Sequence, residues 1–386
     1  MLRKAGRFVI GLLITLVILE IGSFAALAFL GERTKSFDEI FYASDNMFLR
    51  GECNYEATLY PHPYLAFVHN ADCLKLNNIG LLGEDVQMTK RANLVRIGIF
   101  GGSVATQFAG MTAPSELEAV LNRCYSSGKT ITYTVANMAD GAWKQPHEVI
   151  ALSLFKEFVD VAVSIEGFNE HYGYDGTLDF AVPANNFETV NPALQRHRFL
   201  KQAFSALYVS PENPLAHSST YKLVTLFSRR LLESIVADDA KRKKWQKKWR
   251  WDLPDGIDSK ARFVQRYSGF VRDFEAIAAA NALKSVVVLQ PAPIFKKQWT
   301  TEETAVITDK GYEQSYAAIK ALLAKNSVNF LDLSALFADD TKTIFGDSIH
   351  FARGDVGPVE GDVRMADAIA RYMSDRQIIV AKNECQ

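Results

Sequence analysis

The stretch Val95–Thr106, VRIGIFGGSVAT, decides the reading of this chain. Val95, Ile97, Ile99 and Phe100 are β-branched or aromatic, the pattern of a buried strand. Gly101 and Gly102 then let the backbone turn where a side chain would not fit. Ser103 follows at the carboxyl end of that strand, where a helix should begin. Open α/β sheets bind their ligands in that region. A serine placed there becomes a nucleophile only if a histidine and a carboxylate reach it from elsewhere. The chain carries both in FGDSIHF, residues 345–351.

Outward from this stretch, strands and helices alternate. The predicted strands are 95–101, 131–138, 159–168, 285–290 and 328–333. Helices are expected after Ser115, after Pro146, and over 259–282, 310–325 and 360–374. Ser115 with Glu118 three residues later reads as a capping box. This alternation predicts an α/β fold: a three-layer α/β/α sandwich around a parallel five-stranded sheet. Residues 170–258 depart from the pattern and read as a helical, surface-lying insertion.

Four short features then share one rim of the sheet. The first is FGGSVAT with Ser103. The second is VANMADGAWKQP (135–146), whose Gly141-Ala142 pair offers backbone N–H groups with little obstruction. The third is EGFNEHYG (166–173), with Asn169 on the loop. The fourth is GDSIHF, with Asp347 and His350. Together they bring a hydroxyl, backbone donors, an amide side chain and a histidine to one cleft. His147 and His171 belong to the same rim. His171 and Trp143 are candidate substrate contacts.

These four features resemble, in order and separation, the four blocks of the SGNH (GDSL-type) hydrolase superfamily, and in particular its membrane-anchored bacterial members. The resemblance covers about 95–170 and 284–375. It implies the flavodoxin-like form of the sandwich. It also implies roles: Ser103 as nucleophile, His350 as general base and Asp347 as its orienting carboxylate. The oxyanion hole would comprise the Ser103 N–H, a second-block N–H and the Asn169 amide. Three departures stand out. The usual Asp before the serine is Gly102. In the second block, counting from Asn137 favours Ala142 as the donor, whereas residue type favours Gly141. In the third block, Glu170 stands where Asp commonly follows the Asn.

The ends of the chain point to its location. Arg3, Lys4 and Arg7 precede the apolar run 8–30, FVIGLLITLVILEIGSFAALAFL. As a helix this run would extend roughly 34 Å, enough for a bilayer core. The leading basic residues predict a cytoplasmic amino terminus and a periplasmic or extracellular main domain. A cleaved signal peptide is the competing reading, with Ala26 and Ala28 as an A-x-A-like site. Glu20, inside the run, marks either a helix partner or a tolerated defect. The expected organisation is an amino-terminal anchor over 1–33, a capping segment over 34–94, and the hydrolase domain over 95–386.

Composition narrows the class further. The chain has 386 residues, is 48% hydrophobic and carries a formal net charge of -1, so no global basic field argues for nucleic acid. The four cysteines are too few for a disulfide scaffold. Cys53 and Cys73 flank a compact segment and are candidates for one bridge in an oxidising compartment, free buried thiols being the alternative. Their spacing is unlike a zinc site, and neither a metal nor an organic cofactor is expected. His62 and His69 read as structural histidines. The run KRKKWQKKWRW (241–251) suits anionic lipid heads, sugar rings, or a solvated helix whose tryptophans pack on the domain.

The sequence therefore predicts a membrane-anchored, extracytoplasmic serine esterase acting on O-acyl, chiefly acetyl, esters of cell-surface glycans. The alternatives are an O-acetyltransferase using the same triad, and a catalytically silent glycan-binding or scaffold domain.

Overall fold

The structure is a computed structural model that describes residues 2–36, 59–62, 64–69, 76–126, 130–174, 209–210, 212–241, 258–308, 311–353 and 359–380. In chain order the elements used below are α1 (Leu2–Phe29), the hairpin strands β1 (Leu59–His62) and β2 (Ala66–His69), β3 (Leu94–Gly101), α2 (Ser103–Gly110), α3 (Glu116–Cys124), β4 (Thr132–Asn137), α4 (His147–Phe155), β5 (Val161–Glu166) and α5 (Phe168–Tyr174). They continue with α6 (Ser219–Lys241), α7 (Ser259–Ala280), β6 (Lys284–Leu289), α8 (Thr301–Val306), α9 (Glu313–Asn326), β7 (Phe330–Asp332) and α10 (Glu360–Asp375). The chain divides into two compact units, Leu59–Glu188 with Arg250–Gln386, and Met1–Thr58 with Thr189–Trp249.

The larger unit is built on a parallel sheet in the order β4-β3-β5-β6-β7. The strand order reverses at β3, so the crevice between the carboxyl ends of β3 and β5 is the place where such sheets bind ligands. Gly101 pairs with Ile165 across that crevice. The residues that follow each strand, Gly102-Ser103 and Gly167-Phe168, therefore leave the sheet side by side.

β3 is buried from Arg96 to Gly101, with Ile97, Ile99 and Phe100 inaccessible. Helices cover both of its faces, which is why it reads as a nearly continuous apolar run. At its other end, Arg96 donates through Nε and Nη2 to the two carboxylate oxygens of Asp160 at 3.1 and 3.2 Å. This fork joins the start of β3 to the residue before β5.

One expected contact has a different geometry. Ser115 caps α3, accepting from the Glu118 N–H at 3.3 Å. The Glu118 carboxylate, however, accepts from Val135 N–H at 2.8 Å instead of completing a capping box. It ties α3 to β4, a tertiary partner that local sequence does not specify.

The described part of the capping segment carries the β1–β2 hairpin and a turn against the end of β4. Asn77 Nδ2 donates to Asn137 O at 3.2 Å, and Asn137 Nδ2 donates to Leu82 O at 2.9 Å. His62 Nδ1 accepts from Leu65 N–H at 3.0 Å in the hairpin turn, a structural task. Nothing of the His69 side chain, or of residues 242–251 in the basic and tryptophan-bearing run, lies within the description.

In the smaller unit, the stretch expected to cross a membrane lies in α1. Among the described residues, no helix is long and apolar enough to cross a membrane. α1 instead has a helical partner. The Glu20 carboxylate accepts from Ser218 Oγ and from the N–H groups of Ser219 and Thr220, capping the start of α6. Leu27 and Leu226 are buried together, with Leu30 and Leu223 beside them. Of the two readings of Glu20, the helix partner is the one realised: four unsatisfied N–H groups at a helix start attract a carboxylate.

Cys53 and Cys73 lie outside the described residues. Cys124, at the end of α3, is buried in the core and disulfide-bonded.

Candidate active site

Ser103 opens α2 immediately beyond the β3 turn. Its Oγ lies 2.7 Å from His350 Nε2, and His350 Nδ1 lies 2.8 Å from Asp347 Oδ2. The other Asp347 oxygen accepts from the N–H groups of Ile349 (2.8 Å) and His350 (2.7 Å). Both oxygens are thereby occupied, and the carboxylate has one orientation. Burial works against ionising Asp347, but its hydrogen bonds to the His350 ring and the loop backbone hold its pKa below the usual range. An ionised Asp347 accepts a proton-bearing Nδ1. This leaves the Nε2 lone pair facing the serine hydroxyl, the arrangement needed to take its proton.

The loop holding Asp347 and His350 is fastened from outside. Glu303 Oε1 accepts from the N–H groups of Ile344 (2.9 Å) and Phe345 (3.1 Å). Glu303 is also ion-paired with Lys296, both side chains being inaccessible, and Lys296 Nζ donates to Lys342 O at 2.6 Å. Gly346 N–H donates to His350 O at 2.9 Å, and Tyr312 OH to Ser348 O at 2.7 Å. Glu303 and Lys296 were not legible as site residues. They belong to α8 and the loop before it, and nothing local marks them as partners of residues 41 to 46 positions on.

Gly102 explains the departure before the serine. Its φ of −91° is open to any residue. A Cβ there, however, would lie 2.2 Å from Asn169 Nδ2 and 2.8 Å from Trp143 O. The third-block amide occupies the space that a side chain would take. Asn169 Nδ2 donates to Trp143 O at 2.7 Å, and an amide nitrogen has a second N–H to offer.

The second block is tied to the end of β3 by Met138 N–H on Ile99 O (2.9 Å) and Asp140 N–H on Gly101 O (3.3 Å). Gly141 N–H is taken by Asp140 Oδ1 at 2.7 Å. Ala142 adopts a φ of +63°, uncommon for a residue with a side chain. Among the described residues, no acceptor meets the N–H of Ala142 or of Ser103. Of the two positions left open by the sequence, Ala142 has the uncommitted donor.

Two expected substrate contacts are corrected. The Trp143 side chain is completely buried, with its ring stacked on His147 at 6.0 Å. His171 is buried among Phe168, Tyr172 and Tyr312, and its Nδ1 lies 3.0 Å from Ser315 Oγ. Both follow the aromatic character of their neighbours into the core, and neither offers a surface to a ligand. His147 is likewise buried. Burial and the nearby Lys144 push its pKa down to about 4, so it stays neutral.

Behind Asn169 lies a group of buried carboxyls that the sequence did not announce: Glu148, Glu166 and Glu170. Glu166 accepts from Gln145 Nε2 and Ser164 Oγ, each at 2.8 Å, and from Tyr267 OH. Glu170 accepts from Gly167 N–H at 2.8 Å and Gln145 N–H at 3.3 Å. Burial, reinforced by the neighbouring Glu166, pushes the Glu170 pKa up to about 7. Burial and Glu170 likewise raise Glu148 well above the carboxylate range. Among the described residues, no group of His, Cys, Asp or Glu side chains is arranged to hold a metal ion.

At the switch point of the parallel sheet stands a line of hydrogen bonds from Ser103 through His350 to Asp347, an arrangement able to activate a serine hydroxyl as a nucleophile. No family model and no curated protein matches the chain. Solved structures do align with it. One is an acetyl xylan esterase (13% identity, 71% of this chain and 98% of the other, TM-score 0.35). Another is the acetylxylan esterase of Geobacillus stearothermophilus (12% identity, 72% and 94%, TM-score 0.35). A third, from Parabacteroides merdae, is named as a GDSL-like lipase (12% identity, 76% and 99%, TM-score 0.34). Likeness of this extent carries no assignment. The functional reading rests on the distances at Ser103, His350 and Asp347.

Proposed function

We propose that this chain is a serine esterase acting through an acyl-enzyme. The observation that carries the reading is the continuous line from Ser103 Oγ to His350 Nε2 and from His350 Nδ1 to Asp347 Oδ2, at 2.7 and 2.8 Å. His350 takes the hydroxyl proton as Oγ attacks the ester carbonyl. It then returns that proton to the departing alkoxide, leaving the acyl group on Ser103. Water, deprotonated by the same imidazole, attacks the acyl-enzyme and releases the acid. The carbonyl oxygen becomes an anion in each tetrahedral intermediate. The Ser103 and Ala142 N–H groups and the second Asn169 N–H are its donors, and one such donor is worth about 3–4 kcal/mol.

The substrate we propose is an O-acetyl ester on a glycan. The support is the polysaccharide chemistry named for the aligned acetyl xylan esterases, together with the half-buried, accessible Ser103 and His350. If a sugar hydroxyl replaces water in the second step, the same groups perform acetyl transfer.

We place the chain at the membrane through α1, with the larger unit outside the cytoplasm. The apolar run at 8–30, the basic residues before it and the disulfide at Cys124 support this placement.

The test is labelling of the full chain with a fluorophosphonate probe. Labelling is expected for the wild type and absent from Ser103→Ala and His350→Ala. A folded wild type that takes no label would overturn the reading. Acetate release from acetylated xylan, with and without a sugar acceptor, separates hydrolysis from transfer. Alkaline carbonate extraction of cell membranes checks the attachment, expected to leave the chain in the membrane pellet.

A further inference from the structure

We infer that Glu170 is a positioning residue, holding the Asn169 amide at the reacting oxygen by stitching the third block to the second. The inference rests on the oxyanion-hole reading proposed above and extends it to a residue that touches neither substrate nor the relay.

The geometry is that of a bridge. Glu170 Oε2 accepts from Gly167 N–H at 2.8 Å, at the start of its own helix, α5. Glu170 Oε1 accepts from Gln145 N–H at 3.3 Å, in the second-block loop. Two residues before Gln145 is Trp143, whose carbonyl receives the Asn169 amide at 2.7 Å. Adjacent residues of α5 thus grip one short loop at two points, Asn169 by donating to it and Glu170 by accepting from it. A third point is the Gln145 side chain, which donates to Glu166 Oε1 at 2.8 Å.

The fit is specific to a carboxylate of this length. Both Glu170 oxygens face backbone N–H donors. A glutamine would turn an NH2 toward one of them and break that bond without changing shape. An aspartate would keep the charge and withdraw it by one methylene. The surroundings are dry: Glu170, Gln145 and Glu166 are all buried. Above its raised pKa of about 7 Glu170 is ionised, and in such a setting a hydrogen bond to it is strong and an unmet donor is costly.

The charged and titratable groups around Glu170 are Glu166 from β5, Glu148 and Lys144 from α4 and the loop before it, Tyr267 from α7 and Tyr316 from α9. None of these accepts the Gln145 or Gly167 N–H. Glu170 alone joins the two loops through their backbones among the described residues.

The experiment is a double-mutant comparison on the full chain, read as kcat and KM for p-nitrophenyl acetate. Glu170→Gln is expected to lower kcat about 10- to 100-fold with KM within roughly twofold, because the lost interaction matters only when the oxyanion forms. Made in an Asn169→Ala background, the same change should have almost no further effect, since the group it positions is gone. Glu148→Gln, which alters a neighbouring buried carboxyl that contacts neither loop backbone, serves as the control and should leave kcat within about twofold.

Equal losses in both backgrounds, or wild-type kcat in Glu170→Gln, would overturn the inference. Should Glu170→Gln not fold, Glu170→Asp carries the same two-background comparison with the same expectations. A wild type with no Ser103-dependent turnover would instead sink the esterase reading, and that outcome is distinct from either.

Discussion

His350 Nε2 and Ser103 Oγ lie 2.7 Å apart, although 247 residues separate them along the chain. The two reach each other because β3 delivers the serine at the switch point of the sheet, and a loop fastened by Glu303 delivers the histidine beside it. Replacing His350 by alanine removes the base and should lower esterase kcat by roughly 10⁴-fold or more. Asp347→Asn should cost roughly 10²–10⁴-fold by releasing the ring from its working tautomer. Hydrolysis of p-nitrophenyl acetate by the purified variants measures both.

Gly102→Ala tests the close approach of the third block. The added methyl would sit 2.2 Å from Asn169 Nδ2 and 2.8 Å from a backbone oxygen, so Asn169 must give way. Loss of one oxyanion donor predicts a fall in kcat of roughly 10²–10³-fold. KM should change little and the circular-dichroism spectrum not at all. Activity near the wild-type level would mean that the amide is not where the reaction needs it.

Glu303→Gln probes the support of the relay loop. The change strands the inaccessible Lys296 ammonium and puts an amide against the Ile344 and Phe345 N–H groups. Removing one partner of a buried pair typically costs about 3–5 kcal/mol. The urea midpoint should fall accordingly, and fluorophosphonate labelling of Ser103 should slow in the fraction that remains folded.

Asp362 gives stability a pH dependence with a definite sign. Burial, opposed by Arg353 and aided by Glu116, pushes its pKa up to about 6 in the folded chain, against about 3.9 for an unperturbed Asp. Between those values the folded state keeps a proton that the unfolded state has released. This group therefore favours folding less as pH rises, by about 3 kcal/mol in all from pH 4 to pH 7. Asp362→Asn removes the term. The stability of the variant relative to wild type, from urea unfolding at each pH, should rise across that window. A difference that stays flat would refute the assignment.

Cys124 supplies a redox prediction. Reduction of its disulfide should destabilise the fold by about 2–4 kcal/mol. Thermal melts with and without dithiothreitol measure the loss, and Cys124→Ser should show the reduced stability in both conditions.

The sequence by itself determined the parallel sheet, the position of Ser103 and the identity of its partners. Burial of β3 on both faces requires an uninterrupted apolar run, and a turn between strand and helix requires glycines, so Val95–Ser103 shows both. The Asp347-x-x-His350 spacing is equally local, since the carboxylate must meet the ring and the N–H groups beside it.

Only the tertiary structure decided the rest. It committed the Gly141 N–H to Asp140 and left the Ala142 N–H without an acceptor among the described residues. It drew Trp143 and His171 into the core, where a rim of loops had suggested contacts with substrate. It paired Glu20 with the start of α6, and it assembled the supports at Glu170 and Glu303 from partners distant in sequence. Those choices depend on which backbone donors remain unpaired once distant segments meet. A hydrogen-bonding group's need is written in the residue, whereas the partner that meets it is set by the packing of the whole chain.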